Sequence, residues 1–153
     1  MGYKLVPVFF LIALNACGKE KQGSGHGSTA TSEQCGSDAR QVVEQLGERM
    51  RQVSLLAPDS TLSRSMRDAY VTLVTPELLS TWQKTPASAP GRQVSNPWPI
   101  RIEISSIGAD SDCRVQGDVV YVTSADTTKA VERRPVSMQV RNDDGWRVSA
   151  FRW

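Results

Sequence analysis

Apolar residues follow two periods along this chain, a helical period in the first part of the folded region and a strand-like period in the second. From Ser37 to about residue 56 they recur every three or four positions, which is the spacing of one helix face. Ser37 is a suitable N-cap for this helix, and Pro58 would stop it. Gly47 weakens the helix interior, so we expect another element to approach closely there. The predicted apolar stripe consists of Ala39, Val42, Val43, Leu46, Met50, Val53 and Leu56.

Two further helices are predicted before the period changes. Ser60 or Thr61 begins the second helix. The segment Thr75-Pro76-Glu77 begins a short third helix, because it supplies an N-cap, a proline at the first helical position and an acid in the first turn. Residues 84–97 then form a long loop, which is either a candidate lid or an ordinary surface excursion. The apolar faces contain Leu62, Met66, Ala69, Tyr70 and Leu73 in the second helix, and Leu78, Leu79 and Trp82 in the third.

Beyond Trp98-Pro99 the apolar period becomes two, which is typical of half-buried strands. A second run, residues 114–123, is dense in valine. The segment Asn142–Gly145 is typical of a hairpin turn, and a final strand follows it from Trp146. The alternating positions of the first and third strands are Ile100, Ile102 and Ile104, and Val136, Met138 and Val140.

This order of elements predicts an α+β fold, in which three N-terminal helices pack on a curved four-stranded antiparallel meander. The layout resembles the nuclear-transport-factor-2-like fold: "NDDGWRVSAFRW" is similar to its closing hairpin and "YVTLVTPELLSTW" to the helix pair at one end. Over about residues 36–153 the resemblance implies a cone with a pocket between the first helix and the sheet. Typical members place a strand between helices, and none is readable between Leu62 and Trp82. Variants in envelope proteins, including periplasmic domains of type IV secretion bridge proteins, share this departure.

The beginning of the sequence has the pattern of a secretory signal. Lys4 precedes an apolar run of ten residues, Leu5–Leu14. A ten-residue helix would span about 15 Å, half of a roughly 30 Å hydrocarbon core, which argues against a lasting transmembrane helix. A buried N-terminal strand or helix is the alternative interpretation.

The run ends in Leu14-Asn15-Ala16-Cys17, which resembles the bacterial lipobox. A large aliphatic residue lies three positions before the cysteine, and a small residue lies directly before it. The resemblance implies cleavage before Cys17, diacylglycerol (and usually a further acyl chain such as palmitate) on this residue, and anchoring to a membrane through lipid. Gly18, in place of an aspartate, implies sorting to the periplasmic face of the outer membrane in a bacterium with two membranes.

The chain therefore divides into a signal peptide at 1–16, a lipidated cysteine with a flexible tether at 17–34, and a globular domain at 35–153. From Gly18 to Glu33 no aliphatic side chain exceeds alanine in size, so this segment cannot bury enough surface to order itself. The single histidine of the chain, His26, lies in the tether and is interpreted as solvated.

Two cysteines, Cys35 and Cys113, remain once Cys17 is assigned to lipid. In an exported protein such a pair favours a disulfide bond, and two independent buried thiols are the alternative. A redox-active pair is not indicated, because the chain has no Cys-x-x-Cys spacing.

Charge and composition exclude several functions. The net charge is +2, from 18 basic and 16 acidic residues, and no basic face is readable, so a nucleic-acid partner is not expected. The domain has no histidine, the commonest general base and metal ligand. We therefore predict no metal and no cofactor, and no catalytic motif is present.

Enzymes that share the resembled fold, such as steroid isomerases and polyketide cyclases, use an acid and a tyrosine or histidine inside the cone. The matching candidates for a ligand pocket here are Tyr70, Asp118 and Tyr121. The alternative is that the tyrosines are core aromatics and that Asp118 is a solvated strand residue.

Four tryptophans are many for so small a domain. Two of the four are expected in the core, whereas Trp98 beside the long loop and Trp153 are candidate anchors for a partner. Covering one end of the sheet is the alternative role for them.

These observations predict a lipid-anchored cell-envelope protein with a non-catalytic domain that binds a protein partner or a small ligand. A small-ligand enzyme of the cyclase or isomerase type is one alternative. An accessory component of a secretion or conjugation machine is the other.

Overall fold

Three helices precede four antiparallel strands, which confirms the predicted α+β class. The computed structural model describes residues 32–109 and 112–153. The predicted signal peptide, Cys17 and His26 lie outside the described residues. The elements are α1 (Ser32–Arg49), α2 (Asp59–Tyr70), α3 (Pro76–Lys84), β1 (Trp98–Ala109), β2 (Cys113–Val122), β3 (Glu132–Asn142) and β4 (Trp146–Arg152), with 3₁₀ turns at Met50–Gln52 and Pro86–Ser88.

The helix α1 begins earlier than predicted, at Ser32 instead of Ser37. Cys35 lies one turn before Ala39 and is buried like it, so the buried stripe of the helix extends back past the expected cap. The Ser37 hydroxyl donates a hydrogen bond of 3.1 Å to the Asp38 carboxylate within the helix. The sequence prediction missed this turn because it treated Cys35 as the start of the domain and not as part of the stripe.

The helix also ends earlier than predicted. After Arg49 the backbone tightens into the 3₁₀ turn, and Val53 is extended, with φ −100° and ψ 113°. The Val53 carbonyl accepts a hydrogen bond of 2.7 Å from the Arg92 N–H, which fixes this extended conformation. Leu56 is 73% exposed, so its predicted place on the apolar stripe is wrong.

Gly47 lies where α1 crosses β1. A Cβ atom at this position would lie 2.5 Å from the Ile102 backbone nitrogen, which no real side chain tolerates. The expected close approach is therefore confirmed, and it explains why the helix accepts a residue of low helix propensity.

The start of α3 matches its sequence pattern. The Thr75 hydroxyl accepts a hydrogen bond of 3.4 Å from the Leu78 N–H, and Pro76 occupies the first helical position. Just before this cap, Val74 makes a single parallel bridge to Val148 on β4. The Thr75 N–H donates to the Val148 carbonyl at 2.9 Å, so the α2–α3 connection hydrogen-bonds to the edge of the sheet.

The sheet has the order β1-β2-β3-β4, so each strand pairs with the next one in the chain. Gly145 adopts a positive φ of 115° in the turn between β3 and β4, and its N–H donates to the Asn142 side chain at 3.1 Å. The expected hairpin at this turn is confirmed. A register shift between Pro99 and Arg101 leaves Ile100 out of the ladder, which interrupts the predicted isoleucine alternation.

Cys35 and Cys113 are brought to disulfide-bonding distance, with their Cα atoms 5.7 Å apart. Both residues are buried. The pair joins the first turns of α1 to the beginning of β2.

Aromatic side chains fill the space between the helices and the sheet. Tyr70 and Trp82 are almost completely buried, with ring centroids 5.5 Å apart in an edge-on arrangement. Trp82 in turn meets Phe151 of β4 edge-on at 5.9 Å. Apolar side chains from both the helices and the sheet surround these rings. They include Val43, Leu46, Met50, Met66, Val115, Val119, Met138, Val140 and Val148.

Candidate functional site

Tyr70 is a structural residue of the core. Its hydroxyl is buried and donates a hydrogen bond of 2.7 Å to the Pro90 carbonyl. Burial raises the pKa of this phenol far above its ordinary value, because the charged form would lose its hydration. The hydroxyl therefore attaches the 84–97 loop to the core, and its proton is used in that hydrogen bond.

Asp118 lies on the opposite face of the sheet from Tyr121. Within β2 the side chains alternate, and residues three positions apart point to opposite faces. Val119, which is buried in the core and pairs with Ile102, marks the face toward the helices. Tyr121 shares that face, whereas Asp118 pairs with Glu103 on the outer face. The structure therefore does not bring the three pocket candidates together.

Tyr121 is buried under a guanidinium group. The Arg134 Cζ atom lies 4.8 Å from the centroid of the tyrosine ring, within the range of a cation–π contact. Arg134 also donates to Glu132 at 2.6 Å and to the Gln93 side chain at 3.3 Å. Burial raises the pKa of Tyr121, and the nearby Arg134 charge opposes that shift.

Beside Asp118, the outer face carries an ion-pair cluster centred on Glu103. Its carboxylate accepts hydrogen bonds from Arg101 at 3.1 Å and from Arg133 at 3.2 Å. The hydrogen bond from Arg101 is the main reason that the pKa of Glu103 is lowered. Both arginines of this partly exposed cluster therefore pair with the same carboxylate.

Trp153, one of the two predicted partner anchors, lines a surface cleft. It is 45% exposed, and its ring meets Phe151 edge-on at 5.1 Å. The cleft beside it has a volume of about 300 Å³. Its other lining residues are Ala87, Gln93, Arg134 and Pro135.

Trp98, the other predicted anchor, is partly buried and lines a second cleft of about 440 Å³. The remaining lining residues are Arg51, Gln52, Arg92 and Ser95. Sequence reasoning missed this set because Arg51 and Arg92 are brought together only by tertiary pairing. The nearest signal was the arginine at the start of "RQVSNPWP", six positions before Trp98.

The 84–97 loop is attached along its length and does not have the form of a lid. Pro90 accepts the Tyr70 hydroxyl, and Arg92 forms a parallel bridge with Ser54. Near its end the Asn96 side chain accepts a hydrogen bond of 3.2 Å from the Ser124 N–H. The loop is therefore a fixed wall between the two clefts, since Arg92 lines one and Gln93 lines the other.

Residues 32–109 and 112–153 offer neither a metal site nor a membrane-spanning helix. In that part of the chain no three His, Cys, Asp or Glu side chains are grouped so that they could hold a metal ion. Its helices also include none with the length and apolarity needed to cross a membrane.

Comparison of the chain with protein-family models, with curated proteins and with solved structures finds no match.

Proposed function

We propose that this protein is a lipid-anchored cell-envelope protein whose folded domain binds a protein partner without catalysing a reaction. The anchor is Cys17, supported by the apolar run before it and by the lipobox-like residues Leu14 and Ala16. The tether that follows has a root-mean-square reach of about 20 to 25 Å, so it keeps the domain close to the membrane surface. In a bacterium with two membranes, this surface is the periplasmic face of the outer membrane.

The proposal includes a nuclear-transport-factor-2-like fold with the sheet curved around α1. The order of three helices and a four-stranded meander supports it, as does the close approach of Gly47 to β1. The bridge between Val74 and Val148 also supports it, because it pairs the connection between α2 and α3 with β4.

A surface site is favoured over a pocket inside the domain. Tyr70 and Trp82 pack edge-on between the helices and the sheet, and Asp118 lies on the outer face of the sheet. The cyclase or isomerase alternative needs an acid and a tyrosine hydroxyl in one enclosed cavity, and the geometry separates them.

The observation that carries the proposal is Trp153. Its large ring is accessible, yet its contact with Phe151 holds it in place, so binding costs little conformational entropy. Tryptophan is enriched among the residues that dominate the energy of protein interfaces. Ala87 and Pro135 provide apolar walls beside it, which suits an apolar side chain of the partner.

Site-specific photocrosslinking in intact cells tests the partner surface. Benzoylphenylalanine at position 153 of the lipidated protein should give a discrete crosslinked product. The same probe at Val71, which is similarly exposed at the end of α2, should give none. Ala87→Arg fills the cleft from an exposed position and should remove the product. Equal products at positions 153 and 71, no product, or a product that persists in the Ala87→Arg variant would contradict the proposal.

Mass spectrometry of the membrane fraction tests the anchor separately. The mature protein should begin at an acylated Cys17, and Cys17→Ser should prevent both processing and acylation. An intact signal segment on the wild-type protein would refute the lipoprotein assignment and leave the proposed Trp153 surface unaffected.

A further inference from the structure

Three separate segments present hydrogen-bond donors to the cleft beside Trp98. The 3₁₀ turn after α1 contributes Arg51 and Gln52, the 84–97 loop contributes Arg92 and Ser95, and β1 begins with Trp98. The set comprises two guanidinium groups, an amide, a hydroxyl and an indole N–H. None of the lining residues carries a carboxylate. The chemistry of the cleft is therefore that of a receptor for negative charge.

The backbone holds these segments firmly. The Arg92 N–H donates to the Val53 carbonyl at 2.7 Å, and the Leu55 N–H donates to the Arg92 carbonyl at 2.9 Å. A Cβ atom on Gly91 would lie 2.9 Å from the Val53 carbonyl oxygen, so the close approach requires glycine. The two arginines are thus presented from segments whose relative position is fixed before any ligand binds.

The two arginines also differ from those on the outer face of the sheet. Arg101 and Arg133 both contact Glu103, whereas Arg51 and Arg92 have no ion pair within the described residues. The Arg92 Nε–H is buried and has no acceptor among those residues. This donor therefore lacks an acceptor from the protein, and an oxyanion that enters the cleft can supply one in place of water.

We infer that the Trp98 cleft binds an oxyanion, a carboxylate or phosphate group, of a ligand whose flat or apolar part lies against the indole ring. Arginine matches such groups because its planar fork donates two parallel hydrogen bonds. A volume of about 440 Å³ holds more than a bare ion and falls within the usual range of small-molecule sites. The anionic group belongs either to a soluble ligand or to a lipid headgroup. The inference does not depend on the proposed Trp153 surface or on the anchor.

Nuclear magnetic resonance on the ¹⁵N-labelled full-length protein in neutral detergent tests the site. The probes are inorganic phosphate and acetate, titrated at constant ionic strength so that general screening does not change. The indole N–H resonance of Trp98, assigned by its loss in Trp98→Phe, should shift and saturate. Arg51→Ala and Arg92→Gln should each weaken the apparent affinity at least tenfold.

Arg64→Ala is the matched control, because Arg64 is exposed on α2 and its loss changes the net charge equally. This variant should bind the probes as the wild type does. Arg51 is also exposed, so Arg51→Ala is expected to fold normally, which thermal unfolding checks. If Arg92→Gln fails to fold, the comparison between Arg51→Ala and Arg64→Ala decides the question.

Two soluble short-chain lipids distinguish the sources of the anion. Tighter binding of dihexanoyl phosphatidylglycerol than of phosphate, with no binding of dihexanoyl phosphatidylcholine, would identify an anionic headgroup. Tighter binding of phosphate or acetate would identify a soluble ligand. The inference is overturned if no anion shifts the Trp98 resonance, or if Arg64→Ala weakens binding as much as Arg51→Ala.

Discussion

The hydroxyl of Tyr70 donates a hydrogen bond of 2.7 Å to the carbonyl oxygen of Pro90 and thereby joins the end of α2 to the wall between the two surface clefts. Both groups are in the buried part of the domain. The contact therefore connects core stability to the shape of the surface on which binding is proposed.

Tyr70→Phe should lower the free energy of unfolding by about 1 to 3 kcal/mol, because it leaves the buried Pro90 carbonyl without its donor. Urea denaturation measures the change. Tyr121→Phe is the matched control, since the Tyr121 hydroxyl has no hydrogen bond within the described residues and its loss should cost less. Equal losses in the two variants would show that the hydrogen bond to Pro90 contributes nothing specific.

The same tyrosine makes the domain sensitive to alkali. The native pKa of Tyr70 lies well above its ordinary value of 10.0, so at high pH the native state binds this proton more tightly than the unfolded chain does. Its contribution to stability is complete below pH 10 and decreases as the pH rises further, by up to about 1.4 kcal/mol per pH unit. Urea denaturation between pH 8 and pH 11 should show this decrease in the wild type and a weaker one in Tyr70→Phe. Parallel curves for the two proteins would contradict the assignment.

Helix starts and turns could be predicted wherever the residues that determine them are adjacent in the sequence. The cap at Thr75, the proline that follows it and the turn at Gly145 each depend on residues adjacent in sequence, and all three occur as expected. The predicted start of α1 at Ser37 was wrong because the buried stripe of the helix includes Cys35. The position of Cys35 is fixed by its contact with Cys113. Local signals therefore specified most helix and strand positions, and tertiary contacts moved the ends.

The residues of the candidate site were harder to predict, because some of them are brought together only by tertiary contacts. Alternation along β2 already implies that Asp118 and Tyr121 face opposite sides, so their separation follows from the sequence once the strand is accepted. The Trp98 cleft is different, because Arg51 and Arg92 are far apart in sequence and meet through the Val53–Arg92 pairing. No local pattern encodes that pairing.

Two glycines of α1 should respond in opposite directions to the same substitution. Gly47→Ala places a methyl group 2.5 Å from the Ile102 backbone nitrogen, so the helix must move away from β1. We expect a loss of about 1 to 3 kcal/mol in unfolding free energy, as for other overpacked sites. Gly36→Ala has nothing within 4 Å of the added atom and should gain about 0.5 to 1 kcal/mol from helix propensity. Thermal and urea unfolding of both variants measure the difference, and a stabilised Gly47→Ala protein would disprove the close packing of α1 on β1.

The Cys35–Cys113 pair closes a long loop, and its removal should be costly. With a sequence separation of 78 residues, the chain-entropy model gives about 4 to 5 kcal/mol of stabilisation as an upper estimate. The double variant Cys35→Ser, Cys113→Ser should therefore unfold at much lower urea concentration than the oxidised wild type. Reductant should lower the stability of the wild type to a similar extent and leave the double variant unchanged. Peptide mapping without reductant should recover the two cysteines in one linked fragment, and free thiols at both positions would show that no bond forms and that the α1 terminus is held by packing alone.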